Sequence, residues 1–65
     1  MIRLSAKRAL ALSIEITNWM LEDYDIYPGT TYDIRYDEDE GVIKFTSSPE
    51  EYETIVALKW PEEVV

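Results

Sequence analysis

The chain has 65 residues and a net charge of −8, with 14 acidic residues, 6 basic residues, and neither cysteine nor histidine. This length allows one domain, residues 1–65, with a thin core, because a domain of about 60 residues buries only about 60% of its unfolded surface. The missing residue types exclude disulfides, thiolate metal sites and histidine-based catalysis, so we expect no cofactor and no metal.

The first predicted element is a helix over residues 5–24, in which Ser5 can cap the first turn. Apolar side chains cover more than half of its circumference, whereas a surface helix normally has a narrower apolar face. One side carries Leu10, Ile14, Thr17, Leu21 and Tyr24, and the adjoining side carries Ala9, Leu12, Ile16, Trp19 and Met20. We therefore expect two buried flanks, one against the sheet and one against the second helix or another chain.

Two strands, 31–37 and 42–46, are predicted after a proline–glycine turn. The first strand alternates apolar with charged residues, which is typical of a half-buried strand. Its inward-facing residues are expected to be Tyr32, Ile34 and Tyr36. An acidic loop joins the strands and ends at Gly41, which is expected to be left-handed in a hairpin of this kind.

The last predicted element is a helix over 49–60, with Ser48 as its cap and Glu51 completing a capping box. Its central residues also fit a strand, so a third strand over 52–60 is the alternative. Residues 62–65 are expected to fray. The order predicts an α+β class: a small single-layer αββα domain whose two helices pack on an antiparallel β-hairpin, or αβββ if the alternative holds.

The acidic residues are concentrated on the helix and at the hairpin tip. From Ala9 onward the net charge is −11, because this part of the chain contains 3 basic residues and all 14 acidic residues. Such a surface repels nucleic acid and anionic lipid and attracts basic protein surfaces, so we expect a basic protein partner, no direct nucleic-acid binding and no membrane. The candidate partner-binding residues are Glu15, Glu22, Asp23, Asp25, Asp37, Glu38, Asp39 and Glu40. The alternative interpretation is a solvated, acidic surface.

The hairpin acids do not fit an EF-hand calcium loop. Placing Gly41 at the glycine position puts Tyr36 and Ser47 at positions 1 and 12, where oxygen ligands are required. Large aromatic residues are a second candidate feature, because they often anchor protein interfaces. The candidate anchors are Trp19, Tyr24, Tyr27 and Trp60, and the alternative for both tryptophans is a place in the core.

Catalysis has little support, so we expect a binding protein rather than an enzyme. The serines have no histidine to activate them, and two glycines cannot supply a glycine-rich phosphate loop. The early apolar run stops at Glu15 and is too short for a membrane span or a secretory signal. We therefore expect a cytoplasmic protein, in the host cytoplasm if a phage encodes it.

In size, charge and compactness, the chain resembles small acidic phage-encoded inhibitors, including DNA-mimicking and anti-CRISPR proteins. This resemblance concerns overall character and assigns no residue a role. It implies that the carboxylates block a basic nucleic-acid-binding surface of a target protein. Two alternatives stay open: an antitoxin-like or adaptor protein that covers a partner surface through its aromatic residues, and a self-associating domain, such as a homodimer, that is acidic only for solubility.

Overall fold

The computed structural model describes all residues from 1 to 65 as a three-stranded antiparallel sheet with two helices on one face. The elements are β1 (Ile2–Ser5), α1 (Ala9–Tyr24), β2 (Tyr32–Asp37), β3 (Val42–Ser47), α2 (Glu51–Lys59) and a short 3₁₀ helix (Pro61–Glu63). The strand order is β1-β3-β2. The α+β class and the helices packed on an antiparallel hairpin are therefore confirmed, and the hairpin gains one strand.

That additional strand corrects the prediction of a helix starting at Ser5, which is wrong. β1 pairs with β3 so that Ile2 lies opposite Phe45 and Leu4 lies opposite Ile43. The Ser5 hydroxyl accepts a hydrogen bond from the Lys7 N–H (3.3 Å) in the connection to α1, which begins at Ala9 without a side-chain cap. A four-residue strand is too short for its alternation to stand out in the sequence.

The start of α2 also differs from the prediction. The third-strand alternative does not form, because residues 51–59 are helical. The predicted capping box does not form, because the helix has no side-chain cap. The helix also begins two residues later than predicted. Glu53, and not Glu51, accepts a hydrogen bond from a backbone N–H before the helix, that of Ser47 (3.0 Å). The Glu53 carboxylate also forms an ion pair with the amino group of Met1.

Glu53→Gln is expected to lower stability at neutral pH by about 1.5–3 kcal/mol, the usual contribution of hydrogen bonds to a charged group. Burial raises the pKa of Glu53, but its bonds to the Met1 amino group and to Ser47 outweigh this, and the pKa is lowered. Its contribution is therefore present above the unfolded pKa of about 4.3 and is lost as pH falls through the folded value.

Urea unfolding at pH 7 and pH 3, followed by tryptophan fluorescence, measures this difference. The difference in the free energy of unfolding between the wild type and Glu53→Gln should be smaller at the lower pH. Glu38→Gln is the control, because Glu38 is exposed, forms no ion pair and lies outside both helices. An equal gap at both pH values would contradict the assignment.

The C-terminal residues are ordered against β1, so the prediction of a frayed tail is wrong. Val64 forms a β-bridge with Leu4, and the Val65 N–H donates to the Arg3 carbonyl (3.1 Å). Glu63 is buried and accepts a hydrogen bond from the Arg8 guanidinium (3.0 Å). The tail therefore covers the outer edge of β1, whose existence the sequence does not reveal.

The core lies between the helices and the inner face of the sheet. Its nine buried apolar residues are Leu4, Leu12, Ile16, Met20, Tyr32, Ile43, Phe45, Val56 and Trp60. Phe45 stacks on Tyr32 at the centre, with ring centroids 5.3 Å apart. Leu12, Ile16 and Met20 form the buried side of α1, and its Leu10 and Ile14 side stays exposed. Neither helix combines the length and hydrophobicity that a membrane crossing requires.

Candidate functional site

The structure divides the acidic residues into two groups. Six of the 14 form ion pairs within the chain: Glu15, Asp33, Asp37, Glu40, Glu53 and Glu63. The other eight have no cation within ion-pair distance, and all of them are exposed: Glu22, Asp23, Asp25, Glu38, Asp39, Glu50, Glu51 and Glu62. The unpaired group is the one free to bind a basic partner.

The open face of the sheet is balanced in charge. Lys44 on the central strand lies between Arg3 on β1 and Arg35 on β2, so the three cations form a row across the sheet. Each is neutralised by a carboxylate on the same face. The pairs are Arg3–Glu40 (2.8 Å), Lys44–Asp37 (2.7 Å) and Arg35–Asp33 (2.6 Å). The three cations and three carboxylates of this face therefore sum to zero net charge.

The hairpin tip contributes only part of its predicted acidity. The Asp37 carboxylate accepts hydrogen bonds from the N–H groups of Asp39 (2.9 Å) and Glu40 (3.0 Å), which shape the turn. The pKa of Asp37 is lowered, first by Lys44 and then by these N–H groups. Gly41 has the expected left-handed conformation, with φ +68°. Glu38 and Asp39 are the tip acids left unpaired, and a partner-binding role of the tip stays a prediction.

The densest group of unpaired acids lies where α1 ends and α2 begins. The helices run antiparallel, because Tyr24 contacts Tyr52 and Trp19 contacts Trp60, with ring centroids 5.6 and 5.3 Å apart. This arrangement brings the last turn of α1 and the first turn of α2 to one end of the molecule. We call this surface the acidic end; it consists of Glu22, Asp23, Asp25, Glu50 and Glu51.

The position of three of these acids opposes the stability of α1. A helix C-terminus carries a partial negative charge, which favours cations and disfavours carboxylates there. The last turn of α1 has no basic residue, and Asp25 follows it with a left-handed backbone, φ 55°. Asp tolerates this conformation better than most residues. Glu50 and Glu51 have the opposite relation to α2, because acids at a helix N-terminus are stabilising.

Asp23→Lys is expected to raise the free energy of unfolding, and Glu51→Lys is expected to lower it, each by about 0.3–1 kcal/mol. Both changes alter the net charge equally, so a difference in sign isolates the helix ends. Urea unfolding at low ionic strength measures both, and added salt should shrink both effects. Two changes of the same sign would contradict this electrostatic account.

Trp19, Tyr24 and Trp60 lie along the seam between the helices, and Tyr27 lies in the loop after α1. Trp60 is buried, with 8% of its surface exposed, and it belongs to the core. Trp19 is half-buried between the rings of Trp60 and Tyr24, and the Lys59 ammonium lies 5.8 Å from its ring centroid. Tyr24 and Tyr27 are 38% and 61% exposed. The two tyrosines, which adjoin the acidic end, are thus the anchors that a partner could reach.

Glu15 lies apart from this surface. Its carboxylate accepts a hydrogen bond from Arg8 (2.8 Å), and this bond lowers the pKa of Glu15. Glu50 and Glu51, by contrast, belong to the acidic end but are absent from the binding residues predicted from sequence. Glu50 and Glu51 could have been included if the two helices had been placed antiparallel, because that arrangement brings the start of α2 to the end of α1.

The largest depression, of about 670 Å³, lies on the open sheet face beside Met1. Threonine and serine residues form much of its lining, together with Arg35 and Lys44. Asp33 is the one carboxylate there, and it is already paired with Arg35.

Comparison with known proteins gives no relative: no family model, no curated protein and no solved structure matches the chain.

Proposed function

We propose that this chain is a non-enzymatic acidic binding protein that blocks a basic nucleic-acid-binding surface of a target protein, as phage-encoded DNA mimics and anti-CRISPR proteins do. The observation that carries the proposal is the acidic end: five exposed carboxylates without a cation partner, contributed by two helix termini. The rest of the molecule neutralises many of its acids internally. Acidity kept only for solubility would not require this separation.

The position of these acids on α1 gives a second argument. Glu22, Asp23 and Asp25 lie at the negative end of the helix, where carboxylates reduce its stability. Residues that reduce stability at one site are typical of functional surfaces, where activity and stability conflict. Contact with lysine or arginine side chains of a target would relieve this repulsion.

Binding would proceed by electrostatic attraction followed by close contact. The charge of −8 accelerates encounter with a basic groove, and added salt weakens the attraction. At close range the carboxylates of the acidic end would occupy the positions of backbone phosphates, which also recur at intervals of several ångströms. Tyr24 and Tyr27 add aromatic contact area beside them.

A displacement assay tests this function. Guide-RNA-loaded CRISPR effectors and other basic DNA-binding proteins are each bound to a fluorescent DNA duplex, and the wild-type chain is titrated in. For its target, we expect release of the duplex at low ionic strength and weaker release as salt is added. A protein that binds tightly without releasing the duplex would contradict nucleic-acid mimicry.

The exposed tyrosines favour one second candidate, an antitoxin-like or adaptor protein. In that case Tyr24 and Tyr27 would form the centre of the interface and the acids its rim. Binding would then change little with salt and would fall with Tyr27→Ala. The same titration, repeated at several ionic strengths, distinguishes the two candidates.

A further inference from the structure

The two edges of the sheet differ. The outer edge of β1 is covered by the C-terminal tail, through the Val64 bridge and the Val65 N–H. The outer edge of β2 is covered only at its start, where Tyr32 forms a bridge with Pro28 and accepts a hydrogen bond from the Gly29 N–H (2.8 Å). Open edges readily pair with another strand, and native proteins usually protect them.

The hydrogen-bonding pattern shows which groups of β2 are free. The Thr31 carbonyl accepts a bond from the Ser48 N–H, so odd-numbered residues face β3. Even-numbered residues therefore face away from β3, because the direction alternates along a strand. Tyr32 is already satisfied by the loop before it, which leaves the N–H and C=O groups of Ile34 and Tyr36 open at the edge.

An exposed apolar patch lies beside this open edge. Tyr36 points to the helix side of the sheet, opposite Ile43, yet it is 60% exposed because neither helix covers it. On α1, Leu10 and Ile14 are 78% and 51% exposed. Tyr32 belongs to the same core cluster as Ile16 and Met20 of α1, so α1 packs on the helix side of β2.

The charge pattern of β2 fits a second copy of itself. On the open face β2 reads Asp33, Arg35, Asp37. Antiparallel pairing centred on Tyr36 places Arg35 of each copy opposite Asp37 of the other, and opposite charges across a strand pair stabilise it. The same register places Asp33 opposite Asp39, but Asp39 lies at the hairpin tip, beyond the end of β2. Pairing centred on Arg35 places like charges opposite each other. Pairing centred on Ile34 would require the edge of Tyr32, which the preceding loop occupies.

We propose that a second copy of this chain binds at the β2 edge, with the two β2 strands antiparallel and centred on Tyr36, so that Leu10 and Ile14 of both copies pack together above the joined sheet. The surface is self-complementary, as a two-fold interface requires. Five of the eight unpaired acids belong to the acidic end, away from this contact, whereas Glu38 and Asp39 lie at the hairpin tip beside it. This dimer is independent of the proposed function.

Measurement of the mass in solution tests the dimer. The wild-type mass should rise from 7.6 kDa towards twice that value as the concentration is raised. Measurement up to about 1 mM detects even a dimer whose Kd is in the millimolar range. Tyr36→Lys should raise the dimer Kd about tenfold or more, as loss of a central aromatic contact does. Arg35→Asp should act in the same direction, because it places two aspartates opposite each other.

Leu58→Lys is the matched control. Leu58 is 75% exposed on α2, so its replacement by lysine changes charge and apolar area without touching β2. It should leave the dimer intact. Circular dichroism confirms that each variant is folded. A monomeric wild type, or a dimer that Leu58→Lys dissociates and Tyr36→Lys does not, would overturn the proposal.

Amide hydrogen exchange gives a second test that needs no variant. The N–H group of Tyr36 should become protected as the wild-type concentration rises, because Tyr36 lies opposite Tyr36 of the second copy. The N–H groups of Asp33 and Arg35 should be protected at every concentration, because they face β3. Tyr36 protection that does not change between dilute and concentrated samples would also overturn the proposal.

Discussion

Glu22→Gln/Asp23→Asn/Asp25→Asn is expected to weaken binding to the basic target by roughly 3- to 150-fold. The three carboxylates are exposed and unpaired, so each is free to contact a lysine or arginine of the target. Exposed ion pairs each contribute about 0.2–1 kcal/mol, and three of them sum to about 0.6–3 kcal/mol. The amides keep the size and shape of the side chains, so the fold is retained.

The matched control is Glu38→Gln/Asp39→Asn/Glu62→Gln. It neutralises the three unpaired acids outside the acidic end, so both triple variants carry a net charge of −5 instead of −8. Long-range attraction is then equal in the two proteins, and only the location of the remaining acids differs. The control should lose much less affinity than the acidic-end variant. Equal losses would mean that net charge, and no particular surface, determines binding.

Phe45→Ala is expected to leave the domain largely unfolded. Phe45 is fully buried on the central strand and stacks on Tyr32, with the rings inclined by 22°. Truncation of a buried phenylalanine costs about 3–5 kcal/mol. At about 0.05–0.15 kcal/mol per residue, a domain of 65 residues has a total stability of roughly 3–10 kcal/mol.

Circular dichroism during urea or thermal unfolding measures this effect. Leu58→Ala is the control, because Leu58 is exposed and such a change is usually within about 0.5 kcal/mol of neutral. If the free energy of unfolding of Phe45→Ala were within about 1 kcal/mol of the wild-type value, the core would not be centred on β3.

The two helices and two strands predicted from local periodicity are present in the structure, although both predicted helix starts are wrong. The elements that depend on distant pairing were not predicted. Helical spacing in α1 and α2 and alternation in β2 and β3 are visible over runs of several residues. The strand Ile2–Ser5 has only four residues and is defined by its pairing with β3. The ordered tail was missed for the same reason, since it packs against a strand that the sequence does not reveal.

In the candidate site, too, the features that are local in the sequence could be predicted, and those that depend on strand pairing could not. The sequence shows that Glu22, Asp23 and Asp25 are close together, because they lie within one helical turn. It does not show which acids are neutralised, because that depends on the register of the sheet. The row of Arg3, Lys44 and Arg35 exists only once β1 and β2 lie on either side of β3. The second flank of α1, which we expected to be buried, is exposed in the single chain, and its burial against another chain stays a prediction.

The most direct test of the central claim is a hydrogen-exchange footprint of the wild-type chain bound to the target that the displacement assay identifies. The account predicts slower exchange at residues 22–27 and 50–52 on binding, with little change at the hairpin tip or the open sheet face. Protection confined to the tip residues Glu38 and Asp39, or to the open sheet face, would contradict the claim that the acidic end is the binding surface.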